Sequence, residues 1–266
     1  MNKPIIKTPY DIEQMRVSGK IAADVLDYIA PFVVPGVTTN ELDKLCHDYI
    51  TNVRGAFPAP LNCPNPSESG PPFPKSMCTS VNDVICHGIP DNKPLKNGDI
   101  LNIDSMIGKN GYFGDTSRMF YVGSVSKYAA RLCQICYECL WKGIETVKPG
   151  NFIGDIGHAI QSHAEKNGYS VVREFTGHGI GKKYHESSPE ILHYGRPKTG
   201  VKLESGMIFT IEPMINQGSR VVKFSKDGWT ASTKDKSLSA QWEHTVLVTD
   251  IGYEILSVSP GMPARL

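Results

Sequence analysis

The sequence predicts an α+β protein of two αβ halves related by a pseudo-two-fold, their strands sharing one sheet with the helices on one face. Residues 95–104, LKNGDILNID, and 203–212, LESGMIFTIE, write one strand pattern twice at an offset of 108, each copy closing in a carboxylate, Asp104 and Glu212. Pro35-Gly36 and Pro149-Gly150, each set between two helical stretches, lie 114 residues apart. Each repeated strand is followed by a second acid-bearing one, with Asp115 in GDTSRMFYVG and Glu243 in SAQWEHTVLVT.

In chain order, Thr8, Pro9 and Asp11 signal a helix start, and Ile12, Met15, Ala22, Val25, Leu26 and Ile29 form one apolar stripe to about Ala30. Thr38 and Glu41 make a capping box ahead of Leu42, Leu45, Cys46, Tyr49 and Ile50, so a second helix follows the Pro-Gly break. Residues 57–74, FPAPLNCPNPSESGPPFP, are rich in proline and polar residues and are expected as a surface loop. Helical periodicity returns over 126–147 and, after Pro149-Gly150, through Ile153, Ile156, Ile160 and Ala164 to Asn167-Gly168. Residues 216–240, containing Trp229, are expected as a polar connector without a counterpart in the first half. The halves then span roughly 8–125 and 126–258, and a site that needs both makes residues 1–266 a single catalytic domain.

Bulk properties exclude several classes. With 40% hydrophobic residues in 266 the chain can bury a substantial core. Twenty-eight basic against 27 acidic residues, without a run of five or more like charges, argue against a dedicated nucleic-acid binder. No stretch reaches the roughly 18 apolar residues of a membrane span, and the start lacks a signal-peptide pattern, so a cytoplasmic protein is expected. Seven cysteines, an odd number, read as free thiols of a reducing compartment. Cys133, Cys136 and Cys139 lack a fourth ligand and sit in a helical pattern, where packing against the sheet is expected over an iron–sulfur cluster.

The acids carry the chemistry. Asp104, Asp115, Glu212 and Glu243, joined by His178 in the glycine-flanked FTGHGIG, converge if the halves pack as inferred. Four buried carboxylates repel one another and raise each other's pKa, a penalty that divalent cations remove. Oxygen-rich ligation with one imidazole suits Mn, Fe, Co or Zn, and four acids are enough for two ions. Such a pair generates hydroxide from water near neutral pH, so hydrolysis is the expected reaction class. His87 in ICHGIP and His185 beside Glu186 also stand in suggestive settings, whereas His47, His158, His163, His193 and His244 are expected to be structural. HESSP at 185–189 lacks the second histidine of HExxH, and Gly179-Ile180-Gly181 comes without the Lys-Ser/Thr pair of a phosphate loop.

With Asp, Asp, His, Glu and Glu in this order, set in ICHGIPD, NIDSMIGKNGYFGDTSRMF, TGHGIG, IEPM and SLSAQWEHTV, the chain resembles the type I methionine aminopeptidase family over about residues 8–258. The resemblance implies the pita-bread fold, a curved antiparallel sheet with helices outside and a dinuclear metal site at its centre. It implies that Asp104 chelates one ion, that Asp115 and Glu243 bridge both, and that His178 and Glu212 hold the other. His87 would contact the substrate near the scissile nitrogen, His185 would hydrogen-bond the carbonyl oxygen, and Glu212 would also shuttle a proton. Phe73, Cys78, Tyr184 and Trp229 match the family's methionine pocket. Cys63 stands where a tyrosine is common, and the stretch 64–72 is longer than in relatives.

The implied substrates are the N termini of nascent polypeptides, met at the ribosome and carrying a small second residue, and the implied state is a monomer. Two alternatives share the fold. A pita-bread Xaa-Pro aminopeptidase would usually carry a long N-terminal domain and a different histidine pattern; a non-catalytic binding protein of this fold would have replaced a ligand.

Overall fold

The computed structural model describes residues 3–65 and 70–263. The first half opens with α1 (Pro9–Ile29) and α2 (Thr39–Asp48), both started by the expected capping boxes, Thr8 with Asp11 and Thr38 with Glu41. Five strands follow: β1 (Phe57–Pro58), β2 (Cys78–Val81), β3 (Val84–Cys86), β4 (Ile100–Lys109) and β5 (Tyr112–Tyr121). The second half repeats the order with α3 (Lys127–Ile144) and α4 (Ile153–Lys166), then β6 (Ser170–Val171), β7 (Gly177–Gly179), β8 (Glu186–Ile191) and β9 (Ile208–Ile211). It ends with β10 (Met214–Asn216), β11 (Val222–Phe224), β12 (Ala231–Thr233), β13 (Ser239–Gln241), β14 (His244–Val248) and β15 (Tyr253–Ile255). The repeat extends to backbone detail, since Gly36 and Gly150 take φ of 95° and 92°, and Gly98 and Gly206 take 98° and 88°.

All strand pairs are antiparallel, but the expected single sheet is divided into four hydrogen-bonded ladders. The two largest run β1-β4-β2, with β5 also on β4, and β15-β14-β9-β7-β8. Between them side chains replace most main-chain rungs. Glu243 N donates to Ser117 O at 3.2 Å. Thr116 Oγ1 donates to Glu243 O, and Thr245 Oγ1 to Asp115 O, each at 2.7 Å. Two threonine hydroxyls are thus exchanged across the junction of the halves.

Alternation along β4 and β9 decides what each residue faces. Leu101, Ile103 and Ile107 pack with Val25, Leu26 and Leu42 of α1 and α2. At the same offset of 108, Phe209 and Ile211 pack with Leu140, Ile156 and Ile160 of α3 and α4. The helices therefore cover one face, and Asp104 and Glu212 fall on the other. Cys133, Cys136 and Cys139 are buried within the α3 core, and all seven cysteines are free, as expected.

Three expectations need correction. Asp104 does not end its strand, because β4 continues to Lys109, whereas Pro213, which has no N–H to give, separates β9 from β10 just after Glu212. The 216–240 connector is a β11–β12 hairpin whose β12 pairs with β3 of the first half. The proline-rich stretch is not wholly a surface loop: Phe57 and Pro58 pair with β4, and Asn65 and Phe73 are buried, with positions 66–69 outside the described residues. No described helix is long and apolar enough to cross a membrane.

Helix α1 crosses β5 at Gly114, where an added Cβ would overlap the Ser18–Gly19 backbone. Since the obstacle is main chain, Gly114→Ala should cost about 3 kcal/mol through overpacking. Urea denaturation should show a lower midpoint at unchanged slope; a wild-type midpoint would mean that α1 shifts freely.

Candidate active site

The cavity on the face away from the helices has a volume of about 550 Å³ and is lined by Asp104, Asp115, His178, Glu212 and Glu243, with His87, Tyr184, His185 and Trp229 around them. Asp104 on β4 faces Ser117 on β5, so Asp115 lies one diagonal step away. In the second half Ile211 faces His244, which sets Glu212 opposite Glu243. His178 lies in β7, between β8 and β9. An added Cβ at Gly177 would meet Thr210 O, and one at Gly179 would meet Ser188 O, so glycines flank the histidine because neighbouring backbones press against both.

The donor set fits divalent cations on three observations. One carboxylate oxygen each of Asp104, Asp115 and Glu243 is buried without a hydrogen-bond partner, which is costly unless a cation meets it. Ligand atoms of Asp115, His178 and Glu243 lie within 4.8 Å of one another. The third is the tautomer of His178. Nδ1 lies 3.1 Å from Gly179 O, an acceptor, so Nδ1 carries the proton and Nε2 the lone pair. That lone pair stands 3.7 Å from Asp115 Oδ2 and 3.8 Å from Glu212 Oε1, a repulsive arrangement that an intervening cation turns into ligation.

Electrostatics follow from burial. Loss of solvent pushes Asp104 up to about 7 and Glu212 up to about 8. Asp115 and Glu243 are raised well above the carboxylate range by burial and then by the neighbouring acids. Burial, with His185 and His87 nearby, pushes His178 down to about 3, and burial alone holds His87 at about 4, so both are neutral near pH 7. His87 adopts φ of 54°, a conformation that costs a non-glycine residue about 1 kcal/mol or more, and its ring meets Phe175 edge-on at 5.3 Å.

Of the residues singled out in the sequence, Asp104, Asp115, His178, Glu212, Glu243, His87, Tyr184, His185 and Trp229 line the cavity, and Phe73, Cys78 and Cys63 belong to an adjoining apolar cluster. Tyr184 stacks on His185 at 4.2 Å, and His185 lies 3.8 Å from the His178 ring. Phe73 and Cys78 pack with Met106, flanked by Cys63, Tyr184 and Trp229. Phe73 meets Trp229 edge-on at 5.2 Å.

Sequence reasoning missed the residues that hold Glu212. Thr210 Oγ1 donates to Glu212 Oε1 at 2.7 Å while accepting from His178 N at 3.0 Å. Gln241 Nε2 donates to Glu212 Oε2 at 3.3 Å, and buried His193 accepts from Glu212 N at 3.2 Å. Thr210 was within reach, since strand alternation places it on the face of Glu212. Gln241 comes near through strand pairing with β10 and His193 from the bend after β8, and neither carries a local signal.

Fold and site together describe a metallopeptidase: residues 13–250 match metallopeptidase family M24, and the chain belongs to that family. Among its relatives, the methionine aminopeptidase of Rickettsia prowazekii is 56% identical over 256 residues, covering 96% of this chain and 95% of the relative. That of Escherichia coli is 53% identical over 254 residues, covering 95% and 93%. A crystal structure of the Rickettsia prowazekii enzyme superposes with a TM-score of 0.91 at 55% identity, covering 96% of this chain and all of that one. A prolidase from Pyrococcus horikoshii shares the fold alone, at a TM-score of 0.73 and 21% identity, with 64% of its length covered. Divalent metal binding follows from the family and from the cluster described.

Metal uptake must displace the protons that these carboxyls hold near neutral pH. Titration with Mn in buffers of different ionisation enthalpy at pH 7 should therefore show proton release, falling off above pH 8; buffer-independent heats would contradict the raised pKa values. Unfolded carboxyls ionise near 4, so the metal-free fold loses stability as pH rises toward 8, while above pH 7 the histidines are neutral in both states. The upward shift in Tm caused by metal should widen between pH 7 and 8.

Proposed function

We propose that this chain hydrolyses the peptide bond after an N-terminal methionine, on proteins and peptides whose second residue is small and uncharged. The observation that carries this is one cavity that holds a cation-hungry cluster of four carboxylates and one imidazole and, beside it, an apolar wall of Met106, Tyr184 and Trp229 backed by the buried Phe73 and Cys78. Relatives above 50% identity over nearly the whole chain bear the name methionine aminopeptidase.

Asp104, Asp115, His178, Glu212 and Glu243 would together hold two divalent ions, Asp104 serving one, His178 and Glu212 the other, and Asp115 and Glu243 both; Mn, Fe, Co and Zn would all suit the donors. When bound, such a pair lowers the pKa of water and polarises a carbonyl. The chain's residues supply the rest. Glu212, with both carboxylate oxygens held by Thr210 and Gln241, takes a proton from the attacking water and returns it to the leaving amine. His87, neutral at working pH, hydrogen-bonds near the scissile nitrogen. His185, exposed at the cavity and stacked on Tyr184, donates to the carbonyl oxygen as it becomes anionic. An unbranched thioether suits a slot walled by aromatic edges and the Cys78 thiol, with Cys63 and Tyr184 at its rim.

Because Asp104 and Asp115 come from one half and His178, Glu212 and Glu243 from the other, residues 1–266 act as one catalytic unit. The protein works as a cytoplasmic monomer in N-terminal methionine excision, on nascent chains at the ribosome.

The metal-loaded protein should cleave Met-Ala-Ser and leave Xaa-Pro peptides intact; the reverse preference would assign it to the proline-directed branch of the fold. Asp104→Asn and Glu243→Gln should each abolish turnover in a folded protein. His87→Ala should lower kcat by about 100-fold, the usual worth of one preorganised hydrogen bond in the transition state, while leaving metal affinity within about twofold. Loss of metal with normal kcat in the remaining loaded enzyme would remove that role.

A further inference from the structure

The slot owes one wall to an exposed turn. Trp229 follows Lys226, Asp227 and Gly228 at the tip of the β11–β12 hairpin, all three exposed. Within the hairpin its anchor is local: Asp227 Oδ1 accepts from Trp229 N at 2.8 Å and Thr230 N at 2.9 Å. Two further bonds come from the long 64–72 stretch of the first half. Asn65 Nδ2 donates to Gly228 O at 3.0 Å, and Trp229 Nε1 donates to Pro71 O at 2.9 Å. Asn65 is only 7% exposed and lines the same cavity as Trp229. The indole is tied at its backbone and at its ring, and it packs edge-on against Phe73, 1% exposed, as a fixed backing.

We propose that Asn65 and the Trp229 indole N–H are specificity-determining positioning groups, resting on the aminopeptidase activity proposed above. They hold the indole packed against Phe73, and so fix where the Trp229 wall stands in the cavity that would take the first side chain of a peptide. A slot held this way admits an unbranched chain and rejects a γ-branched one of similar size, since rejection requires that the wall not yield. With either tie removed, the exposed turn lets the indole move outward and leucine enters.

The test uses the full-length, metal-loaded protein with Met-Ala-Ser and Leu-Ala-Ser. Asn65→Ala and Trp229→Phe should each lower the methionine-over-leucine ratio of kcat/KM by about fivefold or more, the worth of one hydrogen bond. In Asn65→Ala the loss for Met-Ala-Ser should appear as a raised KM, with kcat within about twofold. Tryptophan emission of Asn65→Ala should shift to the red and quench more readily with acrylamide, and this change should vanish when Asn65→Ala is made in the Trp229→Phe background. Unchanged selectivity and unchanged emission in a folded Asn65→Ala protein would overturn the proposal. If Asn65→Ala does not fold, Trp229→Phe decides, because it keeps a ring and deletes the donor: an unaltered ratio there overturns it equally. A loaded wild-type protein inert toward Met-Ala-Ser would sink the aminopeptidase activity instead, and the emission comparison would still report whether Asn65 holds the indole.

Discussion

Four carboxyl groups share one poorly solvated cavity, and their mutual repulsion is the constraint around which the chain is arranged. Ionised and bare, they would oppose folding; fully protonated, they could not ligate a cation. By burying them the chain keeps protons on these acids near neutral pH, to be displaced when a cation binds. It leaves one oxygen on each of Asp104, Asp115 and Glu243 unpaired and turns the His178 lone pair toward Asp115 and Glu212. Each of these choices is unfavourable alone and becomes favourable with positive charge among them. The helices contribute by covering the opposite face, where odd-numbered residues of β4 and β9 form two separate cores.

Much of this was legible in the sequence because it rests on local periodicity. Alternation in LKNGDILNID and LESGMIFTIE places Asp104 and Glu212 opposite the helix-packed residues whatever the details of pairing. Capping boxes at Thr8 and Thr38 announce α1 and α2 because their bonds are made within four residues. The fourfold division of the sheet was not legible, since main-chain rungs at the junction are replaced by hydroxyl bonds from Thr116 and Thr245 to residues about 130 positions away. Nor was the β11–β12 hairpin, whose strands are short and polar on the outside and gain their order from β3.

At the site, the ligand-type residues were readable from residue type and repeat, but their supports were not. His193 looks like any core histidine until its ring is found accepting the Glu212 N–H. The proline-rich 57–74 stretch reads as surface by composition, yet Phe73 is driven inside because it has an aromatic partner, Trp229, from the other half. Composition describes what a segment can tolerate; partners from distant sequence decide what it does.

The threonine exchange at the junction has a mechanical consequence. Thr116 grips the carbonyl of Glu243, and Thr245 grips that of Asp115. Sliding one half past the other would break both bonds at once, and it would also change the gap between the two acids. The spacing of that pair is therefore preorganised by the polypeptide, so an arriving cation encounters a rigid vice instead of having to assemble one from two loosely jointed jaws.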